Sequence, residues 1–353
     1  MKVALLGDTH FGARGDSPIF HQFFKSFYDD VFFPYLNEHG VDYVVQLGDV
    51  FDRRKYINFQ TLKNAKEYFF EPLNKGEMKS WLLVGNHDTY YKNTNNVNSL
   101  DLILGQYQNI NTIHHPYETS FGGVSFLMVP WICPENEKEV FEAIKISKAQ
   151  VCCGHFEISG FEMYKGAVID EGLDANIFSK FEFVFSGHYH HRSTKRNITY
   201  VGTPYEITWS DYSDQKGFHI FDTTTREVEF IPNPLSMFVK VHYDDLNKTI
   251  EDVLLDDFSV YKQTIVKVVV RNKTNPYWFD MFIEKLEKAG VVDIQVVDDH
   301  YNLNLEEDKD IINEAEDTLT ILNKYISQVN LNTDKQKLEN LLRSLYSEAL
   351  SLE

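Results

Sequence analysis

The chain has 353 residues, 43% of them hydrophobic and 14% aromatic, which is ample for one large packed domain with appendages and unlike a disordered or fibrous chain. Its three cysteines, Cys133, Cys152 and Cys153, are too few for a disulfide framework and lack zinc-finger spacing, so all three read as reduced core residues. A net charge of −19 disfavours a uniformly basic nucleic-acid binder, and with no run of about 18 apolar residues and no basic-then-apolar leader the expectation is a soluble, cytoplasmic protein with no membrane partner.

In chain order, the first apolar run, residues 3–6, reads as a buried strand and is followed by Asp8-Thr9-His10. A helix is predicted over 18–38. The second run, 43–47, leads into Gly48-Asp49-Val50-Phe51-Asp52, and a helix over 59–74 follows. The third, 81–84, leads into Gly85-Asn86-His87-Asp88, with helices over 97–107 and 136–147 beyond it. The fourth, 151–153, ends at Gly154-His155, and the fifth, 181–185, at Gly187-His188-Tyr189-His190. Strands alternating with helices predict an α/β layered fold. After residue 190 the pattern turns to hairpin strands at 198–201, 217–222 and 227–231.

Pro232, Asn233 and Pro234 then break the pattern, because proline cannot donate to a ladder and restricts its predecessor. The predicted domains are therefore 1–234, a small α+β module over 235–305, and a helical pair over 306–353. The module shows strands near 238–243, 265–271 and 293–297 around a helix at 276–289. In the terminal pair, apolar residues step by three and four from Ile312 to Val329 and from Leu338 to Ala349, a pattern that suits docking on a partner.

Loops at the carboxyl ends of strands in an α/β sheet converge where ligands bind. The five clusters then supply ligands for two metal ions. Asp49 is the natural bridging carboxylate, with Asp8, His10 and His190 completing one ion and Asn86, His155 and His188 the other. A mixed Asp, Asn and His set suits Mn²⁺, Fe²⁺ or Zn²⁺ better than a purely carboxylate one, which would favour Mg²⁺ or Ca²⁺. Two such ions about 3.5–4 Å apart clamp the attacking and leaving oxygens of a phosphoryl displacement. His87, left over from the ligand set, is the expected general acid, with the Asp52 carboxylate to orient it and Arg53 to neutralise a phosphate oxygen. Asp88 is expected to anchor the loop from behind. The acidity of the chain is mostly carboxy-terminal, and residues 51–100 are net positive. Arg54 and Lys55 in that block, with Lys92 and Arg192, are the expected phosphate contacts. His191 reads as a solvent-facing neighbour, and the remaining histidines as structural or surface residues.

The ordered set DxH, GDxxD, GNHD, GH and GHxH resembles the calcineurin-like metallophosphoesterase superfamily over roughly residues 1–230. The tight GNHD form, Val129-Pro130-Trp131-Ile132 and Tyr200-Val201-Gly202-Thr203-Pro204 resemble its SbcD-type DNA repair and recombination nucleases, and the run from Gly85 to Asn93, Gly160-Phe161 with Tyr164-Lys165-Gly166, and the compact length resemble those of T-even-like bacteriophages. This resemblance implies a layered sandwich of two mixed sheets flanked by helices, a capping domain for DNA recognition, and a helical hairpin that binds an SMC-like ATPase of the SbcC type. It further implies a Mn²⁺-dependent 3′ to 5′ exonuclease on duplex DNA and endonuclease on single strands, acting as a homodimer in the host cytoplasm. Other superfamily ions are Mg²⁺, Fe²⁺ and Zn²⁺. Helices 59–74 and 97–107 are the expected dimer contacts. Archaeal and eukaryotic members carry His in place of Asp52, which leaves open whether Asp52 touches DNA or only orients His87, and the Asp-His pairing of the superfamily supports the latter. A phosphatase of the same superfamily and a catalytically inactive scaffold are the competing readings.

Overall fold

In a computed structural model, residues 1–298 are described, apart from 77 and 256; the predicted helical pair and His300 lie outside the described residues. The strands are β1 (Lys2–Leu6), β2 (Tyr43–Gln46), β3 (Lys79–Leu83), β4 (Ile110–Ile113), β5 (Tyr117–Phe121), β6 (Val124–Val129), β7 (Val151–His155), β8 (Phe161–Tyr164), β9 (Ala167–Ile169), β10 (Phe183–Gly187), β11 (Ser193–Lys195), β12 (Ile198–Tyr200), β13 (Gly217–Asp222), β14 (Val228–Pro232), β15 (Phe238–Asp244), β16 (Ile265–Asn272) and β17 (Asp293–Asp298).

Two six-stranded mixed sheets carry the fold, one in the order β14-β13-β1-β2-β3-β4 and the other β11-β12-β10-β7-β6-β5. Strand residues alternate between cores, as the period of two requires. Val3, Leu5, Val45, Leu47 and Leu83 share one core with Phe126, Met128, Val151, Cys153 and Phe185 of the second sheet, so this layer lies between the sheets. Ala4, Leu6, Val44 and Leu82 face the opposite way, onto Phe24, Phe27, Tyr28, Phe69 and Phe70. Leu127, Cys152 and Val184 do the same on the second sheet, against Val140 and Ile144 of the helix Glu137–Ile146. All three cysteines are buried and free. The result is the expected layered α/β sandwich.

The predicted helix over 18–38 forms as Pro18–Phe27, a π-helical turn Tyr28–Phe32 and Phe33–Glu38. The one over 59–74 repeats that arrangement, with its π turn at Lys66–Phe70. In both, the turn lies where large aromatic rings crowd the same core and a proline follows, at Pro34 and Pro72, conditions under which a wider turn relieves the ladder. Among the described residues no helix is long and apolar enough to cross a membrane.

Strands β15, β16 and β17 form a separate three-stranded sheet with its own core of Val241, Tyr243, Val266, Val268, Phe279, Phe282 and Leu286. Both pairings are parallel, with the helix Pro276–Ala289 crossing over between β16 and β17. That helix starts at Asn275, whose side chain accepts from the backbone of Tyr277 and Trp278, and ends at the left-handed Gly290.

Candidate metal centre

All five clusters of candidate ligands lie at the carboxyl ends of parallel strands: β1, β2 and β3 in one sheet, β7 and β10 in the other. Gln46, fully buried at the end of β2, ties two of them together. Its amide donates to the carbonyls of Gly7 and Gly48, and its oxygen accepts from the Gly48 N–H. The approach is so close that Gly48 cannot carry a side chain: its φ is +100° and a Cβ would stand 2.3 Å from His155 Nδ1. His10, Asp49 and His188 have φ of +42°, +53° and +85° although none is glycine. Each such conformation costs on the order of 1–3 kcal/mol and persists where function requires it.

The side chains converge as two groups, Asp8 with His10 and His190, and Asp49 with His155 and His188, whose ligand atoms lie within 4.8 Å of one another in each group. Asp49 stands between them. Its Oδ2 is 3.4 Å from His155 Nε2 and 4.0 Å from His10 Nε2, while its Oδ1 accepts the His87 N–H at 2.7 Å. Asp8 accepts the His188 N–H on both oxygens, at 3.0 and 2.9 Å. Asn86 Oδ1 lies 2.9 Å from His155 Nε2 and 3.1 Å from His188 Nδ1, and so joins the second group.

This donor set fits cations. His155 donates Nδ1–H to the Leu47 carbonyl at 2.7 Å, so its Nε2 faces two acceptors, Asn86 Oδ1 and Asp49 Oδ2, and must meet them with either a proton or a shared cation. His10 and His190 point Nε2 at one another across 3.1 Å, and their Nδ1 atoms are buried without a hydrogen-bond partner. Lone pairs gathered in this way need a proton or a metal ion.

The titration behaviour shows the same deficit. Burial, opposed in part by His155, pushes Asp8 up to about 7. Burial drives His188 down to about 3, and it holds His10 and His190 below the ordinary imidazole range, in their ligating form. For His155 burial is outweighed by Asp49, which raises it to about 9. Asp88 sits behind the loops, its carboxylate accepting from the N–H groups of Gly85, Val50 and Phe51. Trp131 closes one wall, its ring 5.2 Å from that of His188 and 5.9 Å from that of His155.

His87 is half-buried and outside both groups. Burial lowers its affinity for a proton, but Asp49 and a hydrogen bond to Asp52 outweigh that and raise its pKa. The bond differs from expectation: His87 Nδ1 meets the main-chain carbonyl of Asp52 at 2.5 Å, whereas the Asp52 carboxylate lies 3.6 Å from His10 Nδ1. The basic residues also divide differently. Arg53 stacks on Tyr56 and approaches Asp16 at 3.8 Å, while Arg54 buries an unpartnered terminal nitrogen and interacts electrostatically with Asp49 and His87. Lys55 and Lys92 are exposed, and Arg192 stacks 4.1 Å over Phe230. His191 is not a solvent-facing neighbour: its Nδ1 pairs with Asp214 Oδ1 at 2.9 Å. Asp214 belongs with Asp211 and Lys216 to a buried network that the motifs did not reveal.

The family model described as calcineurin-like phosphoesterase matches residues 1–192, more than half of the chain. The chain belongs to that family. It is 32% identical over 358 residues to exonuclease subunit 1 of Enterobacteria phage T4, an alignment covering 99% of each chain. Among solved structures, glutamine-dependent NAD+ synthetase from Acinetobacter baumannii matches 98% of this chain and 72% of its own at 10% identity, with a TM-score of 0.29 that carries no argument.

Proposed function

We propose that the chain is a two-metal, Mn²⁺-dependent DNA nuclease, a 3′ to 5′ exonuclease on duplexes and an endonuclease on single strands, and the nuclease subunit of an SbcC/SbcD-type complex. The observation that carries this reading is the Asp49 carboxylate set between two imidazole-rich groups, with His87 beside it and outside both. Two divalent ions held there supply Lewis-acid polarisation of a phosphodiester and acidify a water. Asp49 spans the two positions, Asp8, His10 and His190 hold one, and Asn86, His155 and His188 hold the other. His87 protonates the departing oxygen, a role that its raised pKa and the fixed Nδ1–H···O bond to Asp52 support. The coupling of Arg54 to Asp49 and His87 favours it over Arg53 as the cation facing phosphate. DNA as substrate is supported by the likeness to a phage exonuclease subunit along nearly the whole chain.

Residues 1–234 are the nuclease domain in this reading, 235–305 the capping domain and 306–353 the segment that binds the ATPase. The homodimer contacts are assigned to the helices at 59–74 and 97–107, which carry the exposed Phe59 (89%) and Leu102 (77%). The site of action is the host cytoplasm. Purified protein with Mn²⁺ is expected to release nucleotides from duplex DNA faster than phosphate from a simple monoester. The reverse order would make it a phosphatase, and removal of residues 310–353 with the ATPase still co-purifying would refute the docking role.

A further inference from the structure

Behind the His190 loop lies a cluster of charges closed to solvent and outside the ligand set. Lys216 is only 5% exposed, yet its ammonium donates to the His190 carbonyl at 2.9 Å and to Asp214 Oδ2 at 2.9 Å, and pairs with Asp211 Oδ1 at 2.7 Å. A carbonyl and two carboxylates thus surround the ammonium. Desolvating these ions costs several kcal/mol each, and an apolar side chain of similar volume would often serve stability as well. A lysine does one thing there that Met or Leu cannot: it holds a carbonyl. That carbonyl belongs to a metal-ligand residue, and it also accepts the Thr203 N–H at 3.2 Å. It is gripped from two sides.

The network continues from Lys216 toward the three-stranded sheet of β15, β16 and β17. Asp211 Oδ2 accepts the N–H groups of Ile207 and Thr208 at 2.8 and 2.9 Å. The adjacent Glu206, buried, accepts those of Met237 and Phe238 at 2.6 and 2.9 Å, where β15 begins. The Lys216 carbonyl itself accepts the Asn233 N–H at 2.8 Å. Segment 206–216 is thus fastened at one end to His190 and at the other to the strand that leads into the C-terminal sheet.

We infer that Lys216 is a positioning residue: it holds the main chain of His190 so that the imidazole reaches the position shared with Asp8 and His10, and it ties that loop to the start of β15. The inference deepens the two-metal reading and rests on it. Only one of the two positions depends on this grip, because His155 is held by the Leu47 carbonyl and the His188 main chain by Asp8. The effect of Lys216 is therefore selective.

The test is a calorimetric Mn²⁺ titration of the full chain. Lys216→Met is placed in an Asp214→Asn background, so that loss of the ammonium leaves one carboxylate rather than two, and Asp214→Asn alone is the reference. One of two equivalents is expected to weaken about 10- to 100-fold while the other stays unchanged, the range found when groups supporting a ligand are removed. Both equivalents at reference affinity, or both weakened alike, would overturn the inference. Fewer than two equivalents in the wild type would overturn the two-metal reading and this inference with it. A measurement on the wild type stands even where the variants do not fold: Mn²⁺ should slow hydrogen exchange at the amides of Ile207, Thr208, Met237 and Phe238. Unchanged exchange there would overturn the tie to β15.

Discussion

Lys216, Asp211 and Asp214 form a buried cluster in which each charge meets an opposite one within 3 Å; Asp8, His10 and His190, on the other side of the same His190 carbonyl, do not. In the first cluster the ammonium meets two carboxylates and a carbonyl, so its charge is compensated within the fold. The second gathers acceptors, carries unpartnered ring nitrogens and includes the left-handed His10. Burial alone therefore does not mark a functional site. What marks it is charge and lone pairs that the chain brings together and leaves uncompensated, because those can be satisfied only from outside.

The comparison is broken or sharpened by substitutions on either side. The largest effect is expected at His87→Asn, which leaves both ligand groups intact: DNA cleavage should fall about 10²- to 10⁴-fold while calorimetry still finds two metal equivalents. Unchanged cleavage would remove His87 from the chemistry. On the closed side, Asp211→Ala takes one of two carboxylates from Lys216 and the acceptor from two backbone donors, and should cost about 3–5 kcal/mol in denaturant unfolding. A loss below about 1 kcal/mol would mean that the network relaxes and is not closed in the sense argued. Arg54→Ala is expected to lower kcat/KM about 100-fold, with Arg53→Ala closer to wild type. Equal losses would erase the distinction drawn between a guanidinium with an unpartnered nitrogen and one engaged by Tyr56 and Asp16.

The sandwich was legible because its strands are short apolar runs whose alternate residues face two cores, as Val3 and Leu5 do against Ala4 and Leu6. The convergence of the five polar clusters was legible because each directly follows such a run, so that spacing along the chain translates into position at a strand end. What escaped was whatever depends on residues distant in sequence or on main-chain atoms. Lys216 lies 26 residues beyond His190 and in no motif, yet it bonds the His190 carbonyl. The partner of His87 is a carbonyl, which no pattern of side chains can disclose. Arg53 and Arg54 are adjacent and chemically alike, and only the placement of Asp16 and Tyr56 separates them. The π turns were invisible for a related reason: they answer to crowding in the shared aromatic core, not to local propensity.

The smallest effect, and the one that separates the two kinds of cluster most cleanly, is in the pH dependence of the metal-free protein. Asp8 titrates at about 7 when folded and near its ordinary value of 3.8 when unfolded. Between those values the folded chain keeps a proton that the unfolded chain has released, so this group's contribution to stability is full below pH 3.8 and is lost as pH rises through 7. The slope is at most about 1.4 kcal/mol per pH unit. Asp8→Asn has no proton to lose, so in chelator its stability should fall less between pH 5 and 8 than that of the wild type, with the other buried acids common to both. Parallel curves would show that Asp8 is compensated after all. The same proton reverses sign when metal is present, because a ligating carboxylate must release it, and wild-type metal affinity should therefore rise over the window in which metal-free stability falls.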